Sequence, residues 1–156
     1  YKDPENTAAV LDEEGWFHTG DIGYLDRDNY VFITGRKKNV IIANNGKNVF
    51  PEELESYLQA LPVVAESMVW GGDRDPNSPW NGICATIRLD KEVLEKKLGP
   101  DYTPEQAAAL IEAEVDKINS DLPRFKRIAH VIVRERDFDK TTTNKIRRFV
   151  EDNRRA

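Results

Sequence analysis

Three short stretches carry side chains able to do chemistry. In Gly15-Trp16-Phe17-His18-Thr19-Gly20-Asp21 an acidic residue follows a glycine turn. A carboxylate is acceptor-only and can take hydrogen bonds from both hydroxyls of a sugar, although turns also hold Asp for their own backbone. Gly35-Arg36-Lys37-Lys38 places three cations after an apolar run. They can hold a nucleotide, or simply solvate a strand end. Lys140-Thr141-Thr142-Thr143-Asn144-Lys145 sets hydroxyls and a lysine at what reads as a helix start. Free N–H groups and the helix dipole suit an anion there, and a threonine cap beside an exposed lysine is the ordinary alternative. Each stretch alone is commonplace; three in one chain are harder to dismiss.

Other chemistries find no support. Two histidines and one cysteine are too few and too scattered for a zinc site, so no metal ligands are assigned. Gly46-Lys47-Asn48 lacks the upstream glycine and the following hydroxyl of a phosphate loop. No Gly-x-Ser-x-Gly elbow is present. His130 lies in an apolar run and reads as a core histidine, while His18 stays undecided. Of 156 residues, 39% are hydrophobic and 33% charged, the profile of a soluble chain with one modest core. The net charge of -5 argues against nucleic-acid binding. It is unevenly spread: residues 124–156 carry +6 and residues 1–123 carry -11. A basic end on an acidic body suits an anionic partner. Cys84 alone makes no disulfide framework, and no apolar run reaches the roughly 20 residues of a membrane span. A cytoplasmic setting is the expectation, and peripheral membrane contact stays open. The sole methionine is Met68, so a piece of a longer protein is expected.

The elements that must position these residues follow from pattern. Residues 1–37 read as turns and short strands, with 31–34 the clearest strand. Residues 39–43 and 47–50 predict a hairpin about Asn45-Gly46, both tolerant of positive φ. Pro51 opens a helix with Leu54, Leu58 and Leu61 on one face, closed by Pro62. Strands are predicted over 63–70 and 83–89, adjacent in a sheet, with a polar loop over 71–82. Helices follow over 91–98 and from the capping box Thr103-Pro104-Glu105-Gln106 to about 120. A strand over 128–133 comes next. A last helix is predicted from near Thr143, burying Ile146, Phe149 and Val150. The class is α+β: a small mixed sheet flanked by helices, preceded by short β segments.

The order of the motifs resembles the C-terminal part of an AMP-forming acyl-CoA synthetase of the adenylate-forming superfamily. Trp16-Phe17-His18-Thr19-Gly20-Asp21 resembles that family's Trp-x-x-Thr-Gly-Asp element. Ile33-Thr34-Gly35-Arg36-Lys37-Lys38, continuing through Asn45-Gly46-Lys47 and Phe50-Pro51-Glu52-Glu53-Leu54-Glu55, resembles the segment joining its two domains. Lys140-Thr141 through Lys145-Ile146 and Arg148 resembles its terminal catalytic-lysine element. The flavour is nearest to long-chain fatty acid–CoA ligases. Asn144 stands where much of the superfamily has Gly, and Asp139 where Pro is frequent. Asn enters left-handed backbone more readily than most residues, which leaves the turn open to it.

The resemblance implies a division into residues 1–37, a remnant of the large N-terminal adenylation domain, and 38–156, a mobile C-terminal domain. It implies two half-reactions: a carboxylate attacks ATP to give acyl-adenylate, and the CoA thiol then displaces AMP. Lys145 would be catalytic. Asp21, Ile33 and Arg36 would contact the nucleotide, Lys38 would be the hinge, and Gly46 and Lys47 would face CoA. Arg124, Lys126 and Arg127 are further CoA candidates. ATP/AMP and Mg2+ are the implied cofactors and CoA the cosubstrate. Fatty acid and the missing N-terminal domain are the implied partners, and the fragment alone would be inactive. Two other readings are kept open: an adenylation domain that loads a carrier protein, and a non-enzymatic nucleotide- or partner-binding module.

Overall fold

The computed structural model describes residues 2–73, 77–78 and 81–155. Helix α1 spans Pro4–Val10, where a turn or strand was expected. Asp3 caps it by accepting from Asn6 N–H at 3.0 Å, and Pro4 occupies the first turn, where its missing N–H costs nothing. It buries no residue. Strands β1 (Asp21–Leu25) and β2 (Val31–Arg36) pair antiparallel, with a bulge between Ile22 and Gly23. Their large side chains face outward: Leu25 is 63% exposed, Val31 67% and Ile33 62%. Tyr24 stacks on Phe32 with ring centroids 5.2 Å apart. Trp16 and Phe17 are also exposed.

A 3₁₀ turn, Lys37–Asn39, leads into a short hairpin of β3 (Ile41–Ile42) and β4 (Asn48–Val49). The predicted hairpin is present, but only Gly46 of the Asn45-Gly46 pair takes positive φ, at 78°. Ala43 N–H donates to Lys47 O at 2.9 Å and Gly46 N–H to Ala43 O at 2.8 Å, closing a loop longer than a two-residue turn. Helix α2 (Pro51–Gln59) then buries Leu54 and Leu58 completely.

The core sheet has three strands in the order β5 (Val64–Gly71), β6 (Ile83–Leu89), β7 (Ile128–Arg134). β5 and β6 run antiparallel and β6 and β7 parallel, so the small mixed sheet is as expected. Of the predicted 71–82 loop, residues 74–76 and 79–80 lie outside the described residues. The parallel crossover carries α3 (Lys91–Leu98) and α4 (Pro104–Asp121). The capping box forms as read: Thr103 Oγ1 accepts from Gln106 N–H, and the Gln106 side chain accepts from Thr103 N–H. Ile111 and Val115 of α4 pack with Ile87, Leu58 and Val69 in one cluster. Among the described residues no helix is long and apolar enough to cross a membrane.

One expected element is absent. No helix begins near Thr143. The chain instead turns over 141–145, Lys140 bridges antiparallel to Ile146, and only a 3₁₀ turn, Glu151–Arg154, follows. Phe149, expected in the core, is 68% exposed.

The contrast between the two sheets is testable by stability. Ile87 is fully buried on the central strand, so Ile87→Ala should cost about 2–5 kcal/mol in urea unfolding. Val31→Ala, on the exposed hairpin, should stay within about 0.5 kcal/mol of the parent.

Candidate active site

The β1–β2 ladder brings Asp21 and Arg36 face to face, because their Cα atoms are register partners. Arg36 Nε lies 2.9 Å from Asp21 Oδ1, and Arg36 Nη1 donates to Thr19 O at 2.9 Å. Thr19 Oγ1 accepts from Asp21 N–H at 3.1 Å, fixing the carboxylate's backbone. Ile33 sits two positions into the same strand and stays exposed. A carboxylate, a guanidinium and an apolar side chain are therefore presented by one hairpin.

Within the Lys37–Asn39 turn, Lys38 stands on the wall of a groove of about 930 Å³. Arg124, Arg127 and Arg148 also line it, with Trp70 and Phe125. Gly46 and Lys47 occupy the β3–β4 turn outside this lining. Lys47 Nζ sits 4.6 Å from the centre of the Phe125 ring, a cation–π contact that ties the turn to the Arg124–Lys126 3₁₀ segment. Lys126 is held by Glu53 at 2.8 Å. Of the three basic candidates near residue 125, two therefore face the groove and one is bound to α2.

Lys145 ends a tight turn rather than starting a helix. Thr141 N–H donates to Lys145 O at 2.8 Å, and Lys145 N–H donates to Thr141 Oγ1 at 3.2 Å. The Thr141 and Thr143 hydroxyls lie 3.0 Å apart. Of the three threonine hydroxyls, those of Thr141 and Thr143 are thus engaged within the turn. Asn144 takes φ of 61°, the left-handed region that Asn tolerates better than most residues. The Lys145 side chain is exposed. Among the described residues, no hydrogen bond or ion pair links it to Asp21 or Arg36.

A family described as the AMP-binding enzyme C-terminal domain matches residues 38–150. The chain belongs to that family. Over 152 residues it is 34% identical to a probable acyl-activating enzyme 10 of Arabidopsis thaliana, covering 96% of this chain and 25% of that protein. Over 162 residues it is 35% identical to the long-chain-fatty-acid–CoA ligase FadD15 of Mycobacterium tuberculosis, covering 94% and 26%. The solved O-succinylbenzoate coenzyme A synthetase of Bacillus subtilis, in complex with ATP and a magnesium ion, matches with TM-score 0.67 and 26% identity, over 95% and 26% of the two chains. The chain spans about a quarter of the length of the curated relatives it matches.

In this AMP-binding C-terminal domain the lysine turn is anchored by ion pairs that join motif residues to each other and to Glu66, which sequence reading passed over. Lys140 pairs with Glu66 of β5, which also takes Arg88 Nε of β6 at 3.0 Å. Burial works to raise the Glu66 carboxyl, but Lys140 and Arg88 outweigh it and hold it below its ordinary value. Arg148 pairs through both guanidinium nitrogens with Glu55 of α2, one contact at 2.7 Å. Glu55 also accepts from Val69 N–H at 2.7 Å. Burial pushes the Glu55 carboxyl up despite these donors. Arg148 is desolvated as well, yet Glu55 holds it above its ordinary value. Both Glu55 and Arg148 stood inside quoted motifs, but 93 residues separate them, and no local signal pairs such positions. His130 is half-buried, with Nε2 2.9 Å from Asn81 O. Cys84 is buried, and burial pushes its thiol up to about 11, which makes it a poor nucleophile at neutral pH.

Two outcomes are expected. Arg148→Ala strands the Glu55 carboxylate and should cost about 3 kcal/mol by urea unfolding, with much of it recovered in Arg148→Met/Glu55→Gln. The depressed Glu66 carboxyl stabilises the fold above its ordinary value of 4.5, and that contribution is lost as pH falls below it. Glu66→Gln should therefore lie about 1–2 kcal/mol below the parent at pH 7, and the gap should close in acid denaturation below pH 4.5.

Proposed function

We propose that this chain is the C-terminal part of an ATP-dependent, AMP-forming acyl-CoA ligase acting on long-chain fatty acids, inactive in isolation. The observation that carries the reading is Lys145 at the closing end of an anchored turn, its side chain exposed, within the Lys140-to-Arg148 motif. The likeness to FadD15 supports the long-chain class.

In the first half-reaction a carboxylate oxygen attacks the α-phosphorus of ATP. An acyl–phosphate bond forms, the α–β phosphoanhydride breaks, and pyrophosphate leaves. Negative charge grows on the phosphoryl oxygens, and a lysine held there lowers the barrier electrostatically. Lys145 takes that role. Asp21 accepts from the ribose hydroxyls, Arg36 keeps that carboxylate oriented and adds positive charge, and Ile33 covers the base. In the second half-reaction the CoA thiol attacks the acyl carbonyl and AMP departs. Lys38 is the hinge about which residues 38–156 turn between the two steps. Gly46 and Lys47 then face the CoA arm, and the Arg124 and Arg127 wall of the groove suits its phosphates.

The proposed boundary at residue 38 is supported by the family match beginning there, and by the apolar side chains of residues 1–37 that lie uncovered. Those surfaces fit a large N-terminal domain as partner. Among the described residues no group of three or more His, Cys, Asp or Glu converges. A cytoplasmic setting is proposed from a sequence with one cysteine, which provides no internal disulfide framework.

The test is the full-length enzyme carrying Lys145→Ala. Fatty-acid-dependent pyrophosphate exchange should fall by about 3 kcal/mol in barrier, roughly a hundredfold, while thioester formation from supplied acyl-adenylate changes little. Exchange at the wild-type rate would remove Lys145 from the mechanism. A preference for short branched acids over long chains would overturn the substrate class.

A further inference from the structure

Asn153 is the one fully buried polar side chain outside the core sheet among the described residues. It lies in the last 3₁₀ turn, eight positions past Lys145, in a segment with no chemical motif. Its surroundings are specific. Asp139 and Arg147 flank the lysine turn, and Arg147 N–H donates to Asp139 O at 2.8 Å. The return bond of that pair is not made directly. Asp139 N–H donates instead to Asn153 Oδ1 at 3.0 Å, and Asn153 Nδ2 donates to Arg147 O at 2.8 Å. The carboxamide is thus spliced into the ladder at the base of the turn, replacing one backbone hydrogen bond with two.

The splice is itself clamped. Arg134, at the end of β7 and 6% exposed, reaches Asn153 Oδ1 at 3.4 Å. The same guanidinium donates to Asp152 O at 2.9 Å, Arg136 O at 2.9 Å and Asp137 O at 3.1 Å, and lies over the Phe138 ring. Four of the five N–H donors of Arg134 are thus engaged, three by backbone carbonyls around the turn and one by the Asn153 side chain. An amide with one acceptor and one donor face is required at 153, since both a backbone N–H and a backbone C=O must be met there.

We propose that Asn153, seated by Arg134, is a positioning residue for Lys145. It keeps the turn that carries the ammonium in one geometry relative to the sheet. This rests on the reading of Lys145 as the adenylating lysine. Displacing a reacting group by about 1 Å can cost up to a hundredfold in rate, so the effect should fall on the step that uses the lysine and spare the other.

The test uses the full-length enzyme with Asn153→Ala and Asn153→Asp; the latter keeps the acceptor oxygen, replaces the donor to Arg147 O by a second acceptor, and adds a negative charge beside Arg134. Pyrophosphate exchange should drop by about tenfold to a hundredfold in Asn153→Ala, and less in Asn153→Asp. Conversion of supplied acyl-adenylate with CoA should stay within about twofold. Amide hydrogen exchange should quicken at Asp139, Asn144 and Lys145 and stay unchanged in β5–β7. Equal loss of both half-reactions, or unchanged exchange at the turn, overturns the proposal. If Asn153→Ala does not fold, Asn153→Asp is judged by the same readouts. Lys145→Ala runs in parallel. If it leaves pyrophosphate exchange intact, the functional reading fails. If it abolishes exchange while both Asn153 variants do not lower it, only the positioning role fails.

Discussion

The ion pair between Glu55 and Arg148 joins the first and last thirds of residues 38–156. Glu55 projects from α2 and also takes the Val69 N–H of β5, so a single carboxylate holds a helix, a strand and the segment after Lys145. Removing both charges from water is costly, and the cost is met only because each oxygen finds a donor. The lysine turn, the sheet edge and α2 are consequently parts of one body. Lys140 and Glu66 repeat the logic at the other end of the turn.

Much of this was legible. Pro51 with Leu54 and Leu58, the Thr103–Gln106 box, and the two strands flanking the 71–82 loop follow from local rules of capping and burial. The C-terminal helix was misread because Ile146, Phe149 and Val150 have helical spacing. Threonine hydroxyls compete for backbone groups, and Thr141 captures Lys145 N–H, while Asn144 enters the left-handed region; both terminate helix. α1 was missed for the opposite reason. Its cap and proline are clear in Asp3-Pro4, but it buries nothing, so no apolar stripe announces it. The proposed functional residues were legible as motif members. The contacts around them were not, since those of Asn153 and Arg134 join residues distant in sequence and show no periodicity.

The uneven charge also becomes spatial. Part of the basic C-terminal segment is neutralised internally: Lys126 by Glu53, Lys140 by Glu66, Arg148 by Glu55. Arg134 is consumed by backbone carbonyls. What remains toward solvent is a smaller set, with Arg124 and Arg127 on the groove and Lys145 on its turn. The charge that sequence counting assigns to a tail is in part scaffolding, and the remainder is focused.

Two glycines set different limits on drift of the sequence. At Gly46 a Cβ would meet nothing within 4 Å, and the objection to a side chain is the φ of 78° alone. At Gly35 the backbone is permissive, yet a Cβ would fall 2.7 Å from Glu52 Oε2 and 3.2 Å from the Phe50 ring. The first position can accept Asn at modest strain. At the second, the Glu52 carboxylate would have to swing aside and the Phe50 ring give by a few tenths of an ångström, so a missing methyl group sets how closely those two side chains can lie against β2.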